Sequence, residues 1–211
     1  MIPAFPVYLF DVDGTLVDSA PDICGAVQGV LLCEGVKDIG DEFLRGYIGR
    51  HLKDLFADLF PNASSSRIDE LIEDYRRIYP ARQHAATVRY PGVLEALTSL
   101  RGKKSTATTK GTATTRIVLE KFGLLQYFDH VQGTDGFPAK PEPEVIFRSL
   151  LALGAQPAEC LFVGDSESDM IAARRAGVKS GAVTYGYGKR EDLARWTPDY
   201  WITDLRDLLG G

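Results

Sequence analysis

Val7-Tyr8-Leu9-Phe10 is a wholly apolar run, rich in β-branched and aromatic side chains, and it stops without transition at Asp11-Val12-Asp13-Gly14-Thr15. Four apolar residues are too few for a core helix. The lack of any polar alternation fits a strand covered on both faces, as parallel strands are. From Ser19, a plausible N-cap with Pro21 in the first turn, Ile23, Val27, Val30 and Leu31 recur at helical spacing. A strand that ends in carboxylates and feeds a helix is the opening of an α/β chain.

The following segment reads as helical. One pattern runs from Asp41 through Phe43, Leu44, Tyr47, Ile48, Leu52, Leu55, Phe56 and Leu59 to Pro61; another runs from Ser64-Ser65-Ser66 through Ile68, Leu71, Ile72, Tyr75 and Ile78 to Pro80. No strand is expected between the first strand and Val88, so residues 17–88 read as a helical insert in a core of residues 1–16 and 89–211.

Beyond Tyr90-Pro91-Gly92 the texture alternates. Helices are expected over residues 93–100, 112–122 (stopped by Gly123), 144–153 (stopped by Gly154) and 168–176 (stopped by Gly177), and strands over 105–108, 130–132, 161–163, 181–184 and 200–202. Alternation of this kind implies a doubly wound parallel sheet.

Whole-chain properties exclude other classes. At 211 residues the chain can bury about 70% of its unfolded surface, and no stretch approaches the roughly 18 apolar residues of a membrane span. Nothing at the start resembles a signal peptide, so a cytoplasmic address is expected. Twenty-four basic against 29 acidic residues give a net charge of −5 and no footprint for nucleic acid. The three cysteines, Cys24, Cys33 and Cys160, contain no C-x-x-C pair and read as small hydrophobes rather than a disulfide or zinc framework. Oligomeric state is left open.

In a doubly wound sheet the ligand crevice lies outside the carboxyl ends of the strands. Asp11 and Asp13 follow the first strand, Thr108 ends the Thr-rich one, Lys140 precedes a helix, and Asp165 and Asp169 follow Leu161-Phe162-Val163. Asp11 and Asp13, two positions apart on extended backbone, share a side and need a cation between them. With Asp165 and Asp169 they form an all-oxygen set suited to Mg2+. Asp11 is then a candidate nucleophile toward phosphorus and Asp13 the acid and base, while Lys140 balances phosphoryl charge. Thr108 hydrogen-bonds phosphate oxygens ahead of a helix start, and Gly14 turns the chain close to the ligand.

Asp11-Val12-Asp13-Gly14-Thr15-Leu16-Val17-Asp18-Ser19, Thr108 with Lys110 after it, Lys140-Pro141-Glu142-Pro143 and Gly164-Asp165-Ser166-Glu167-Ser168-Asp169 together resemble the haloacid dehalogenase superfamily, in its phosphoglycolate-phosphatase-like branch. The likeness spans Val7 to Thr184 with its motifs in order. It implies a Rossmann-like core carrying a small helical cap, and Mg2+ held by Asp11, the Asp13 carbonyl and Asp165. It also implies hydrolysis of a small phosphorylated metabolite through an aspartyl phosphate. Similar phosphatases often carry Asn where this chain has Thr109, here taken with Arg50 of the insert as a substrate contact.

Two other functions fit parts of the pattern. A sugar-phosphate mutase shares the aspartyl phosphate and differs in what receives the phosphoryl group, and a receiver-like signalling domain also uses acidic residues, Thr and Lys. Receivers are shorter and phosphorylate an Asp on a middle strand of the sequence. Bland readings compete residue by residue: Asp-x-Asp-Gly makes turns, Ser168 and Asp169 suit a helix start, and Thr108 suits a strand. His51, His84 and His130 are scattered and read as surface or packed residues. Gly186-Tyr187-Gly188-Lys189 lacks the spacing of a phosphate loop and reads as a flexible turn after a strand.

Overall fold

A computed structural model describes residues 1–37 and 39–210. The chain divides into two compact units, Met1–Asp18 with Val88–Gly211, and Ser19–Thr87. In chain order the first unit opens with β1 (Val7–Phe10) and β2 (Val17–Asp18), and the second contains α1 (Ala20–Cys33), α2 (Asp41–Arg45), α3 (Leu52–Leu59) and α4 (Ser65–Ala81). The first unit resumes with β3 (Val88–Arg89), α5 (Val93–Ser99), β4 (Lys103–Thr106), α6 (Thr112–Lys121), α7 (Glu144–Leu153), β5 (Cys160–Gly164), α8 (Glu167–Ala176), β6 (Lys179–Val183), α9 (Arg190–Ala194) and β7 (Tyr200–Ile202).

The main sheet has the order β4-β1-β5-β6-β7, every pair parallel. The two-residue period of β1 sorts its side chains onto opposite faces. Tyr8 and Phe10 pack with Leu161 and Val163 against α5 and α6 through Val93, Ala96, Leu97, Val118 and Leu119. Val7 and Leu9 pack with Cys160 and Phe162 against α7 and α8 through Val145, Ile146, Leu150, Ala172 and Ala173. Two covered faces explain the unbroken apolar run. The chain crosses from β4 on one side of β1 to β5 on the other, which makes the carboxyl end of β1 the switch point of the sheet.

The second unit has its own core, in which Val27, Val30 and Leu31 of α1 meet Leu55 and Phe56 of α3 and Leu71, Ile72 and Tyr75 of α4. Buried Asp22 ties its chain ends together, accepting from Arg82 Nε (3.2 Å), Ala86 N (3.0 Å) and Thr87 Oγ1 (2.7 Å).

Several expectations need correction. The apolar pattern from Asp41 to Pro61 is two helices, because the segment around Gly46 and Gly49 (φ +88°) turns between them. A short ribbon, β2 paired antiparallel with β3, closes the first unit where the chain leaves and returns; two residues per strand are below what a period can reveal. His130–Gln132 is no strand and holds one isolated bridge, Ser105 to His130. β4 ends at Thr106, so Thr108 lies two residues beyond it. The helix over 168–176 starts at Glu167 and is capped by Ser166 in a reciprocal box with Asp169. α9 was not anticipated.

Candidate active site

β1 and its neighbours continue one residue past their named ends, with Asp11 N donating to Val163 O (2.9 Å) and Ala107 N to Phe10 O (2.8 Å). The ladder thus seats Asp11 between the ends of β4 and β5. The chain then turns sharply: the Val12 carbonyl accepts from Leu16 N (2.9 Å) and Val17 N (3.1 Å), and Gly14 takes φ +87°. A side chain at Gly14 would also strike Asp165, its Cβ falling 2.3 Å from Oδ2, so glycine is required there twice over.

Lys140, buried, is the electrostatic centre of the site. Its Nζ lies 2.9 Å from Asp11 Oδ1 and 2.5 Å from Asp169 Oδ1, and donates to the Ala107 carbonyl at 3.0 Å. The Lys140–Pro141 peptide is cis. Asp169 is fully engaged: Oδ1 meets Lys140, and Oδ2 accepts from Asp165 N, Ser166 N and Ser166 Oγ. Asp165 accepts from Thr15 Oγ1 (3.1 Å) and Tyr187 N (2.8 Å), and it forms no ion pair among the described residues.

Carboxylate oxygens of Asp11, Asp165 and Asp169, all buried, lie within 4.8 Å of one another. Three carboxylates share one buried ammonium, and the consequence is visible in their proton affinities. Burial, opposed by Lys140 and helped by Asp169, pushes the Asp11 carboxyl up to about 6. Burial together with Asp169 and Asp11 holds Asp165 well above the carboxylate range. Burial alone would lower Lys140, but Asp11 and Asp169 hold it above its ordinary value. Asp11 Oδ1 has no hydrogen-bond donor aligned on it although it is buried. An oxygen-only, cation-deficient cluster of this kind fits a hard divalent ion.

Asp13 is buried too, and after burial and Asp169 its charge also helps to raise the Asp11 carboxyl. Its carboxylate pairs with Lys110 Nζ at 3.1 Å. Thr108 is buried, its Oγ1 accepting from Lys110 N (3.4 Å) and its carbonyl from Thr134 Oγ1 (2.9 Å). Thr109 follows it, partly exposed. Arg50 is exposed in the second unit, in the turn before α3, with its guanidinium 4.6 Å above the Tyr47 ring.

Three participants went unassigned in the sequence. Lys110 and Thr15 appeared only as parts of motifs, and Tyr187 only inside a loop read as flexible. The Gly-x-Gly spacing directly after a strand was the available signal for Tyr187, since it marks close backbone approach.

A family model described as haloacid dehalogenase-like hydrolase matches residues 8–183. The chain belongs to that family. It is 36% identical over 214 residues to a phosphoglycolate phosphatase of Pseudomonas fluorescens, covering 96% of this chain and 78% of the relative. It is 32% identical to a phosphoglycolate phosphatase of Aquifex aeolicus, covering 96% and 94%. Among solved structures, a haloacid dehalogenase-like family hydrolase from Streptococcus pneumoniae superposes with a TM-score of 0.89 at 29% identity, covering 97% of both chains. A hydrolase from Pseudomonas syringae gives 0.82 at 27%, covering 97% of this chain and 96% of its own. These likenesses agree with the parallel α/β core. Among the described residues no helix is long and apolar enough to cross a membrane.

Proposed function

We propose that this hydrolase is a Mg2+-dependent phosphatase that cleaves a small phosphorylated metabolite, phosphoglycolate first, through a phosphorylated Asp11. The observation that carries the proposal is the buried cluster of Asp11, Asp165 and Asp169, three carboxylates that share the single ammonium of Lys140. The two phosphoglycolate phosphatases similar to this chain supply the substrate class.

Asp11 and Asp165 would hold the ion, with Asp169 beside them and Asp13 contributing through its carbonyl as the family resemblance implies. A bound Mg2+ supplies the positive charge that lets an anionic carboxylate and a phosphate dianion approach each other. Asp11 then attacks phosphorus, forming an O–P bond as the ester O–P bond breaks, and Asp13 gives its proton to the departing alkoxide. In the second half Asp13 takes a proton from water, whose oxygen attacks phosphorus; the Asp11–phosphorus bond breaks and inorganic phosphate leaves. Lys110, paired with Asp13, steadies that carboxylate for its proton transfers.

Lys140 keeps Asp11 oriented and offsets charge on the transferring group. The Thr108 hydroxyl and the tight turn at Gly14 serve the phosphoryl oxygens. Thr109 and Arg50 are assigned to the remainder of the substrate, and residues 19–87 to a cap that sets specificity. A cytoplasmic address goes with this assignment, supported by three cysteines that are free thiols.

Phosphate release from a panel of phosphoesters, with Mg2+ and with chelator, tests the proposal. Magnesium-dependent release, strongest with phosphoglycolate, is expected. No release from any ester, or isomerisation of glucose 1-phosphate faster than phosphate appears, would overturn it.

A further inference from the structure

The segment Tyr185-Gly186-Tyr187-Gly188, which follows β6 after Thr184, is wrapped onto Asp165. A Cβ at Gly186 would lie 2.3 Å from Asp165 Cβ, 2.5 Å from the Gly14 carbonyl and 2.6 Å from Asp165 Oδ2. One at Gly188 would lie 2.0 Å from the Asp165 carbonyl oxygen. Neither glycine has a positive φ, so room, not dihedral freedom, demands glycine at both. The approach aims the Tyr187 N–H at Asp165 Oδ2 at 2.8 Å.

Two tyrosine hydroxyls pin the segment. Tyr185 donates to the Thr15 carbonyl at 2.9 Å, and Thr15 in turn donates its hydroxyl to Asp165 Oδ1 at 3.1 Å. Tyr187 donates to Asp18 Oδ1 at 3.0 Å. Asp165 is therefore gripped at both oxygens by neutral donors from two loops that also hold each other. An ionised carboxylate has about four lone-pair directions, and these two donors leave the others for the cluster formed with Asp11.

We infer that Gly186, Tyr187 and Gly188 are positioning residues, which fix the orientation in which Asp165 ligates the catalytic cation. This inference rests on the proposed metal role of Asp165. Groups that orient a ligand commonly govern metal affinity by about 10–100-fold, and a clasp built from glycines is sensitive to a single methyl group.

The test is Mg2+ titration by calorimetry, together with the Mg2+ concentration that half-saturates phosphoglycolate hydrolysis, for wild type, Gly186→Ala, Gly188→Ala and Tyr185→Phe. For the two glycine variants Mg2+ affinity is expected to fall about 10–100-fold, with kcat largely recovered at saturating Mg2+. Tyr185→Phe, which keeps the loop's shape and drops one anchor, is expected to lose about fivefold, and it decides the matter if the glycine variants do not fold. Wild-type affinity in the folded variants, even with a lowered melting temperature, would reduce the segment to packing and overturn the inference. If wild type itself binds no Mg2+, the metal assignment is what fails, and the inference falls with it.

Discussion

Lys140 Nζ stands 2.9 Å from Asp11 Oδ1 at a position where both side chains are all but removed from solvent. The same ammonium donates to Asp169 Oδ1 and to the Ala107 carbonyl. Removing it leaves buried carboxylates with nothing to balance them. Breaking a buried pair from one side typically costs about 3–5 kcal/mol, which in a chain of this size lowers the melting temperature by roughly 6–20 °C. Thermal denaturation of Lys140→Met checks this; a melting temperature equal to wild type would contradict it.

The proton affinities give a pH dependence with a definite sign. The Asp11 carboxyl, ordinarily at 3.8, is pushed up to about 6 in the folded chain, so the folded state binds this proton more tightly than the unfolded state. The stability it contributes is fully present below about pH 4 and lost as pH rises through about 6. Asp165 is raised as well and adds the same sign. Asp199, Asp204 and Asp207 are lowered and titrate below that window. Metal-free protein is therefore expected to lose stability from about pH 5 to about pH 7.5, and Mg2+ to raise the melting temperature more at the higher pH. Asp11→Asn should flatten the metal-free trend. A Mg2+ effect equal at both pH values would contradict the assignment.

The Asp13 carboxylate pairs with Lys110, and the task assigned to it is proton transfer. Asp13→Asn is expected to lower kcat about 10²–10⁴-fold while its backbone carbonyl and Mg2+ affinity persist. Steady-state kinetics beside Mg2+ calorimetry check this, and loss of both together would count against separate roles.

In the second unit, Asp22 satisfies Arg82, the Ala86 N–H and Thr87 at once from a buried position. Asp22→Ala strands those donors and is expected to cost about 2–4 kcal/mol. Chemical denaturation measures it directly, and an unchanged midpoint would contradict the anchoring role.

The elements that were legible beforehand are those with a long period or an abrupt ending. β1 stood out because Val7–Phe10 is covered on both faces, and α7 because its apolar spacing runs unbroken from Glu144 to Gly154. The residues Asp11, Lys140 and Asp165 were legible because each follows a strand or precedes a helix in an unusual local context. What escaped depends on distant partners. The β2–β3 ribbon joins residues about 70 apart through two positions per strand. Asp22 carries no local signal, since the partners that define it, Arg82 and Thr87, lie about 60 residues along the chain. The clasp on Asp165 was missed because contact between Gly186 and Gly14 is invisible to local pattern.

The central claim is that phosphate passes through Asp11. Acid-quenched enzyme mixed with Mg2+ and labelled phosphoglycolate, reduced with borohydride and mapped by mass spectrometry, tests it most directly. Conversion of Asp11 to homoserine during turnover, absent in Asp11→Asn, is the predicted result. Undiminished phosphate release by Asp11→Asn, with no modification at position 11 in wild type, would contradict it.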